Sequence, residues 1–210
     1  MLKLPLSKPL LRKLPLRLMV MTDDIDARHH SLPPIVYRNT RVLILGSLPG
    51  SASLAAQAYY AHPRNHFWRI FGILLDEPNL AERSYAQRLR VFKRHRIGLW
   101  DVVGQAQRQG SLDQNLKNIT PNPLAELLQQ LPQLEAIAFN GQTAARIGQR
   151  QLSNTSLLKS AAFYVMPSTS PANTMPFTEK VAAWKMLITT RTSPETAVVR
   201  SHKPSKLRPT

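Results

Sequence analysis

Arg41-Val-Leu-Ile-Leu-Gly46 is the stretch on which the fold turns. Its apolar residues run without a break, where a strand wet on one face would alternate apolar with polar. An unbroken run suits a strand covered on both faces, and Gly46 closes it. Working outward, three more short runs read as strands: Ile97-Gly-Leu-Trp100, residues 134–139 and residues 162–166. Helical spacing separates them. Residues 65–75 place Phe67, Ile70, Phe71 and Leu74 on one face with Pro63 just ahead, and a polar, arginine-rich helix is predicted over 81–94. Asn122-Pro123 opens a helix whose Leu124, Leu127, Leu128 and Leu131 share a face. Another helix follows Asn140-Gly141 to about Arg150, and residues 178–188 turn Val181, Trp184 and Ile188 inward. Short strands alternating with helices pair in parallel through right-handed crossovers, which predicts an α/β fold, a three-layer α/β/α sandwich. Ligands collect beyond the carboxyl ends of such strands. The irregular segments expected there are 46–64, 101–115, 140–143 and 168–177.

The chain has 210 residues, enough for one domain with a substantial core and short for two. At 43% apolar and 19% charged it reads as globular. Lys and Arg outnumber Asp and Glu 28 to 12, a net charge of +16. A surface that basic gains affinity for polyanions by displacing the counterions of phosphates. Part of the charge sits at the ends: residues 1–20 hold five cations and no acid, and residues 191–210 hold five cations and Glu195, leaving +7 for residues 21–190. The expected organisation is a basic N-terminal extension over 1–29, one domain over 30–190 and a basic C-terminal tail over 191–210. Residues 1–20, rich in Leu, Lys, Arg and Pro, read either as an organelle-targeting leader or as an over-extended gene start, with Met19 and Met21 as alternative first residues. The absence of cysteine excludes disulfides, thiolate zinc sites and cysteine-ligated iron–sulfur clusters. No uncharged apolar run is long enough to cross a bilayer.

The first loop, Gly46-Ser-Leu-Pro-Gly-Ser-Ala-Ser53, lacks both the Lys-Ser or Lys-Thr pair of a P-loop and the glycine spacing of a dinucleotide site. Alone, it is a strand-to-helix connection. Tyr59-Tyr60-Ala-His62-Pro-Arg64-Asn65-His66-Phe67-Trp68 is less ordinary, for it crowds two tyrosines, a cation, two imidazoles and an amide together at the mouth of the sheet. With Gly46-x-x-Pro49-Gly before it, and with Gly98-Leu-Trp-Asp101, Gly110-Ser-Leu-Asp113, Phe139-Asn-Gly141 and Pro167-Ser-Thr-Ser-Pro-Ala-Asn173 after it, the chain over residues 41–188 resembles the uracil-DNA glycosylase superfamily. Within it, the resemblance is to the hypoxanthine-DNA (deoxyinosine) glycosylase family.

That resemblance implies four parallel strands in the order 2-1-3-4 and hydrolytic release of hypoxanthine from deoxyinosine in DNA. Release of uracil from mismatches or single strands is the nearest rival, and a basic nucleic-acid-binding domain that kept the fold without catalysis is a third reading. The mismatch-specific branch carries an Asn in the first loop to position water, where this chain has Leu48; the deoxyinosine family lacks that Asn and uses the one in His-Pro-x-Asn, here Asn65. The second motif often begins with a His that supports the departing base, where this chain reads Ser168-Thr-Ser170. A base must leave the stack before its glycosidic bond can be reached, and Tyr60 can stack on it. Gly46, Ser47 and Pro49 form the loop that approaches the base, and Asp101 can read its edge. Arg64, Ser168, Ser170 and Asn173 are the expected contacts to DNA, and Met175 or Phe177 can fill the gap left in the stack. A neutral amide such as Asn65 can orient water beneath the sugar while fixed dipoles stabilise the departing base. With no lysine in the motifs, hydrolysis without a Schiff base is expected.

Each of these residues also has a plainer reading. Asn65 can cap the helix it precedes. His62 and His66 have metal-binding spacing, but Pro63 lies between them and no third ligand is in view. Phe67 and Trp68 suit the core. Tyr60 divides between stacking and core, and Asp101 between base reading, a cap and a salt bridge. Ser111-x-x-Gln114 fits a capping box, and Phe177 suits packing under the last helix. The expected partner is DNA carrying deaminated bases, bound by a monomer without cofactor, metal, iron–sulfur cluster or membrane.

Overall fold

An unbroken apolar strand needs neighbours on both sides and cover above and below, and the computed structural model supplies them. It describes residues 28–153 and 161–189. The predicted tail over 191–210, and the N-terminal extension except for its last two residues, lie outside the described residues. Strand β2 (Val42–Gly46) is buried along its whole length and pairs in parallel with β3 (Ile97–Asp101) and β6 (Ala136–Asn140), and β7 (Ala162–Met166) completes the sheet. The order is β3-β2-β6-β7, which is 2-1-3-4 when these four strands are counted along the chain. The open side of β3 is capped by a reciprocal backbone pair with Ile35, both bonds 2.9 Å, which blunts an otherwise exposed edge.

The helices cover this sheet. Helix α2 (Phe67–Leu74) starts two residues later than its periodicity suggests and packs against α6 (Phe177–Thr189). Phe67, Phe71 and Phe92 meet Trp184 of α6 in one aromatic cluster, with ring centroids 4.7–6.3 Å apart. Helix α4 (Leu124–Gln129) packs on α5 (Gln142–Leu152), and α5 lies on β2, β6 and β7. The helix predicted over 81–94 is broken at its start. A 3-10 turn (Leu80–Glu82) comes first, and Ser84 then opens α3 (Tyr85–Arg94) with a capping box closed by Gln87. The capping box expected at Ser111 and Gln114 does not form: the turn Asp113–Asn115 has no side-chain cap, and Ser111 Oγ instead meets the Ser51 N–H and hydroxyl.

Two segments expected to be irregular are ordered. A short helix α1 (Ser51–Ala55) follows the first loop. Strands β1 (Arg28–His30), β4 (Val103–Gln107) and β5 (Lys117–Pro121) form a second, antiparallel sheet in the order β1-β4-β5. It lies at the carboxyl end of the main sheet, because a single residue separates the end of β3 from the start of β4.

Close packing of α5 on the sheet depends on Gly148. A Cβ there would lie 2.3 Å from Phe139 and 2.9 Å from Val102. Gly148→Ala should therefore destabilise the fold by about 1–3 kcal/mol through overpacking, despite the better helix propensity of alanine. At about 2–4 °C per kcal/mol for a chain of this size, thermal melting followed by circular dichroism should show a clear drop; an unchanged or raised Tm would mean that α5 does not sit this close.

Candidate active site

Parallel register decides what meets at the carboxyl ends. Gly46 lies opposite Asp101, and Asn140 opposite Met166. The loops that follow these strands enclose a cavity of about 480 Å³, within the range of about 300–1,000 Å³ usual for small-molecule sites. Of the expected base-binding residues, Gly46, Ser47, Pro49, Tyr60 and Asp101 all line it, and so does Asn65. Ser168, Ser170 and Asn173 form its opposite wall. Arg64 and Met175 are not in the lining. A smaller hollow of about 230 Å³ beside Leu131 and Ile137 has no ionisable lining and lies away from the motif loops.

The floor is where Gly46 and Asp101 meet. A Cβ at position 46 would stand 2.6 Å from Asp101 Oδ1 and 3.4 Å from the Tyr60 hydroxyl, so only glycine leaves this floor intact. Asp101 is 3% exposed, and its Oδ2 accepts a hydrogen bond from Ser31 Oγ at 3.0 Å. The Tyr59 hydroxyl nearby donates to the Leu32 and Pro33 carbonyls (2.9 and 3.2 Å). Burial pushes the Asp101 carboxyl up to about 7; neighbouring hydroxyls and Arg108 oppose the shift, and the charge of Asp113 adds to it.

Two residues outside the expected set shape the first loop. Arg108 directly follows β4, is 5% exposed, and donates to the carbonyls of Leu48, Pro49 and Gly110. Those carbonyls turn away from the cavity towards a buried guanidinium. Asp113 accepts from Ser47 Oγ at 2.7 Å, tying the loop to the segment after β4; burial raises its carboxyl above the usual range, against the Ser47 hydroxyl and Arg108. Asp113 belongs to a stretch already quoted for the resemblance, whereas the partners of Arg108 are backbone atoms that leave no mark in sequence.

Asn65 lies just ahead of α2 and lines the cavity. Its Oδ1 accepts the Phe67 N–H at 3.0 Å, an Asx turn that sets the first turn of α2. Its Nδ2 has no protein partner among the described residues, and the residue faces the cavity. Tyr60 sits at φ +56°, an uncommon conformation for a bulky residue. Its ring is stacked on Phe67 at 3.7 Å between centroids, and its hydroxyl is buried without a hydrogen-bond partner. Phe67 and Trp68 are core residues, as their pattern suggests. His62 Nδ1 accepts the Arg64 N–H, while His66 presents its ring edge-on to Phe177. Among the described residues, no group of three or more His, Cys, Asp or Glu could hold a metal ion.

The far wall is held from behind. Asn140 spends each end of its amide on Thr169, with both bonds 2.9 Å, and Trp184 Nε1 donates to the Pro167 carbonyl. The amide of Asn173 is used inside the loop, Nδ2 on the Ser168 carbonyl and Oδ1 on the Met175 N–H. Buried Lys180 donates to the Asn173 carbonyl at 2.8 Å. Ser168 and Ser170 accept backbone N–H groups two residues on and keep their hydroxyl protons to donate. Arg64 is exposed. Phe177 packs on the core, and Arg69 lies over its ring at 4.6 Å, whereas half-buried Met175 is not part of the core cluster.

Comparison with known proteins agrees with this geometry. The sequence profile of the Uracil DNA glycosylase superfamily matches residues 33–188. A protein of Methanosarcina barkeri named hypoxanthine DNA glycosylase is 40% identical over 114 residues, 54% of this chain and 72% of that one. One of the same name from Methanosarcina acetivorans is 38% identical over 143 residues, 67% of this chain and 85% of that one. A solution NMR structure from Methanosarcina acetivorans, given the provisional name uracil DNA glycosylase, superposes with a TM-score of 0.65 at 32% identity, covering 77% of this chain and 99% of that one. Among the described residues, no helix is long and apolar enough to cross a membrane. The chain belongs to the uracil DNA glycosylase superfamily.

Proposed function

We propose that this protein is a DNA N-glycosylase that releases hypoxanthine from deoxyinosine, acting as a single chain on DNA without a cofactor. Two relatives, 40% and 38% identical over the aligned residues, carry that name. The observation that carries the reading is the state of the cavity's amides. Asn140 and Asn173 have both ends of their side chains committed to the protein, while Asn65 keeps its Nδ2 and a second lone pair on Oδ1. Asn65 is thus held by one bond and open on the side where water would meet the sugar.

The steps follow from the walls. A flipped base enters between the strand-end loops and lies on the open side of Tyr60, whose other face Phe67 supports. Asn65 orients water beneath C1′ as positive charge grows on the sugar. The hydroxyls of Ser168 and Ser170 donate to flanking phosphates, Asn173 keeps their loop in shape, and Arg64 adds positive charge. Among the described residues no lysine lines the cavity, which favours water over an amine at the sugar carbon. Leu48, where a water-positioning amide would otherwise stand, has its carbonyl bound to Arg108 and its side chain in the core.

Asn65→Ala should leave the circular dichroism spectrum and DNA affinity nearly unchanged and slow single-turnover release of hypoxanthine at least about 100-fold, the scale of losing one positioned polar group. Release at close to the wild-type rate would reduce Asn65 to a helix cap.

Met175, half-buried yet outside the core cluster, is the wedge in this reading. Unstacking costs a few kcal/mol and least where pairing is poor. Met175→Ala should therefore slow cutting of deoxyinosine in well-paired duplex more than in single strands. The ratio of the two single-turnover rates is the readout, and a ratio equal to that of the wild type removes Met175 from this role.

A further inference from the structure

Neither water activation nor base stacking uses the carboxyl on the cavity floor. Asp101 lines the cavity while almost wholly buried, and among the described residues it forms no ion pair. The groups facing it come from every neighbouring element: Tyr59 and Tyr60 after α1, Tyr85 at the start of α3, Asp113 in the turn before β5, and Arg108 after β4. Three phenols and a second carboxyl bring no positive charge. Arg108 alone does, and its N–H groups are aimed at the carbonyls of Leu48, Pro49 and Gly110. A buried carboxyl so placed is held neutral by the cost of burying its charge, and its titration near 7 agrees. Oδ2 accepts from Ser31, Oδ1 approaches Gly46, and the buried Tyr60 hydroxyl close to the same glycine has no hydrogen-bond partner among the described residues. The floor therefore presents an unpartnered phenol beside a buried carboxyl able to give up a proton near neutral pH.

We propose that Asp101, in its neutral form, is the acid of the reaction and delivers its proton to N7 of the departing purine. This rests on the reading of the cavity as a hypoxanthine-releasing site and adds the group that carries the leaving base. As the C1′–N9 bond breaks, its electron pair passes to N9 and into the ring. N7 takes the Asp101 proton, and hypoxanthine leaves neutral. Water adds to C1′ and loses a proton to solvent, from which the Asp101 carboxylate is reprotonated. The acid so placed fills the part that Ser168-Thr169-Ser170, with no imidazole, leaves open.

The test is single-turnover release between pH 5.5 and 9 by the wild type and Asp101→Asn, on matched duplexes containing deoxyinosine or 7-deaza-2′-deoxyinosine. On deoxyinosine the wild-type rate should fall as pH rises through about 7. Asp101→Asn, which can donate a hydrogen bond but not a proton, should be about 100-fold slower at pH 6 and flat with pH. On the 7-deaza substrate the two proteins should cut at the same slow rate. Folding has its own readout. The folded carboxyl titrates above its ordinary 3.8, so the stability it contributes is present at low pH and is lost as pH rises from 3.8 through about 7. A folded Asp101→Asn should then melt above the wild type at pH 8, with the gap narrowing towards pH 5. Equal rates for the two proteins on deoxyinosine at pH 6, or a dependence on Asp101 that persists with the 7-deaza substrate, would overturn the proposal alone. A wild type that releases no hypoxanthine would sink the reading beneath it as well.

Discussion

A parallel sheet covered on both faces has no room for polar groups along its strands, and this constraint orders the rest of the molecule. Val42, Leu43, Ile44 and Leu45 are wholly buried between β3 and β6. Polar chemistry can begin only where the strands stop, and the parallel register makes them stop together. Gly46, Asp101 and Asn140 are the last residues of their strands. An antiparallel sheet would have scattered the same residues over two ends. The cavity is thus a consequence of strand direction before it is a consequence of any one side chain.

The loops around the cavity are fixed from behind, which leaves the cavity face free for a ligand. Arg108 holds the first loop by its carbonyls, Asn140 binds both polar ends of Thr169, and Trp184 and Lys180 hold the far wall from α6. Each of these groups is buried and has a hydrogen-bond partner. Such fixed dipoles cost no reorganisation when charge develops on sugar and base. Arg108 also has a cost, for its buried charge is met largely by carbonyl dipoles, with Asp113 the leading carboxyl at longer range. The second sheet, which delivers Arg108 to this place, is therefore part of the site's construction.

The main sheet was legible because its signal is local: short, mostly apolar runs of strand length separated by stretches of helical spacing. The second sheet was not, because β4 reads Val-Gly-Gln-Ala-Gln and β5 is exposed at all five positions, so neither carries a period of its own. Their pairing is settled by position in the fold. Within the site, Gly46, Ser47, Pro49, Tyr60, Asn65, Asp101, Ser168, Ser170 and Asn173 line one cavity, whereas Arg64 and Met175 do not. Arg108 and the double bond between Asn140 and Thr169 were not legible, because a buried hydrogen bond to a backbone or distant hydroxyl has no sequence spacing. Asn65 was legible only as an alternative between cap and catalyst; three-dimensional placement lets one oxygen serve the helix while the rest of the amide faces the cavity.

The central claim is that this cavity detaches a purine from DNA by hydrolysis. It is tested most directly by incubating purified protein with matched duplexes bearing a single deoxyinosine or a single deoxyuridine, and identifying the freed base by mass spectrometry. The account predicts free hypoxanthine in proportion to alkali-labile sites, with no strand cleavage before alkali and far less uracil. Release of uracil alone, or alkali-labile sites in neither duplex, would contradict it.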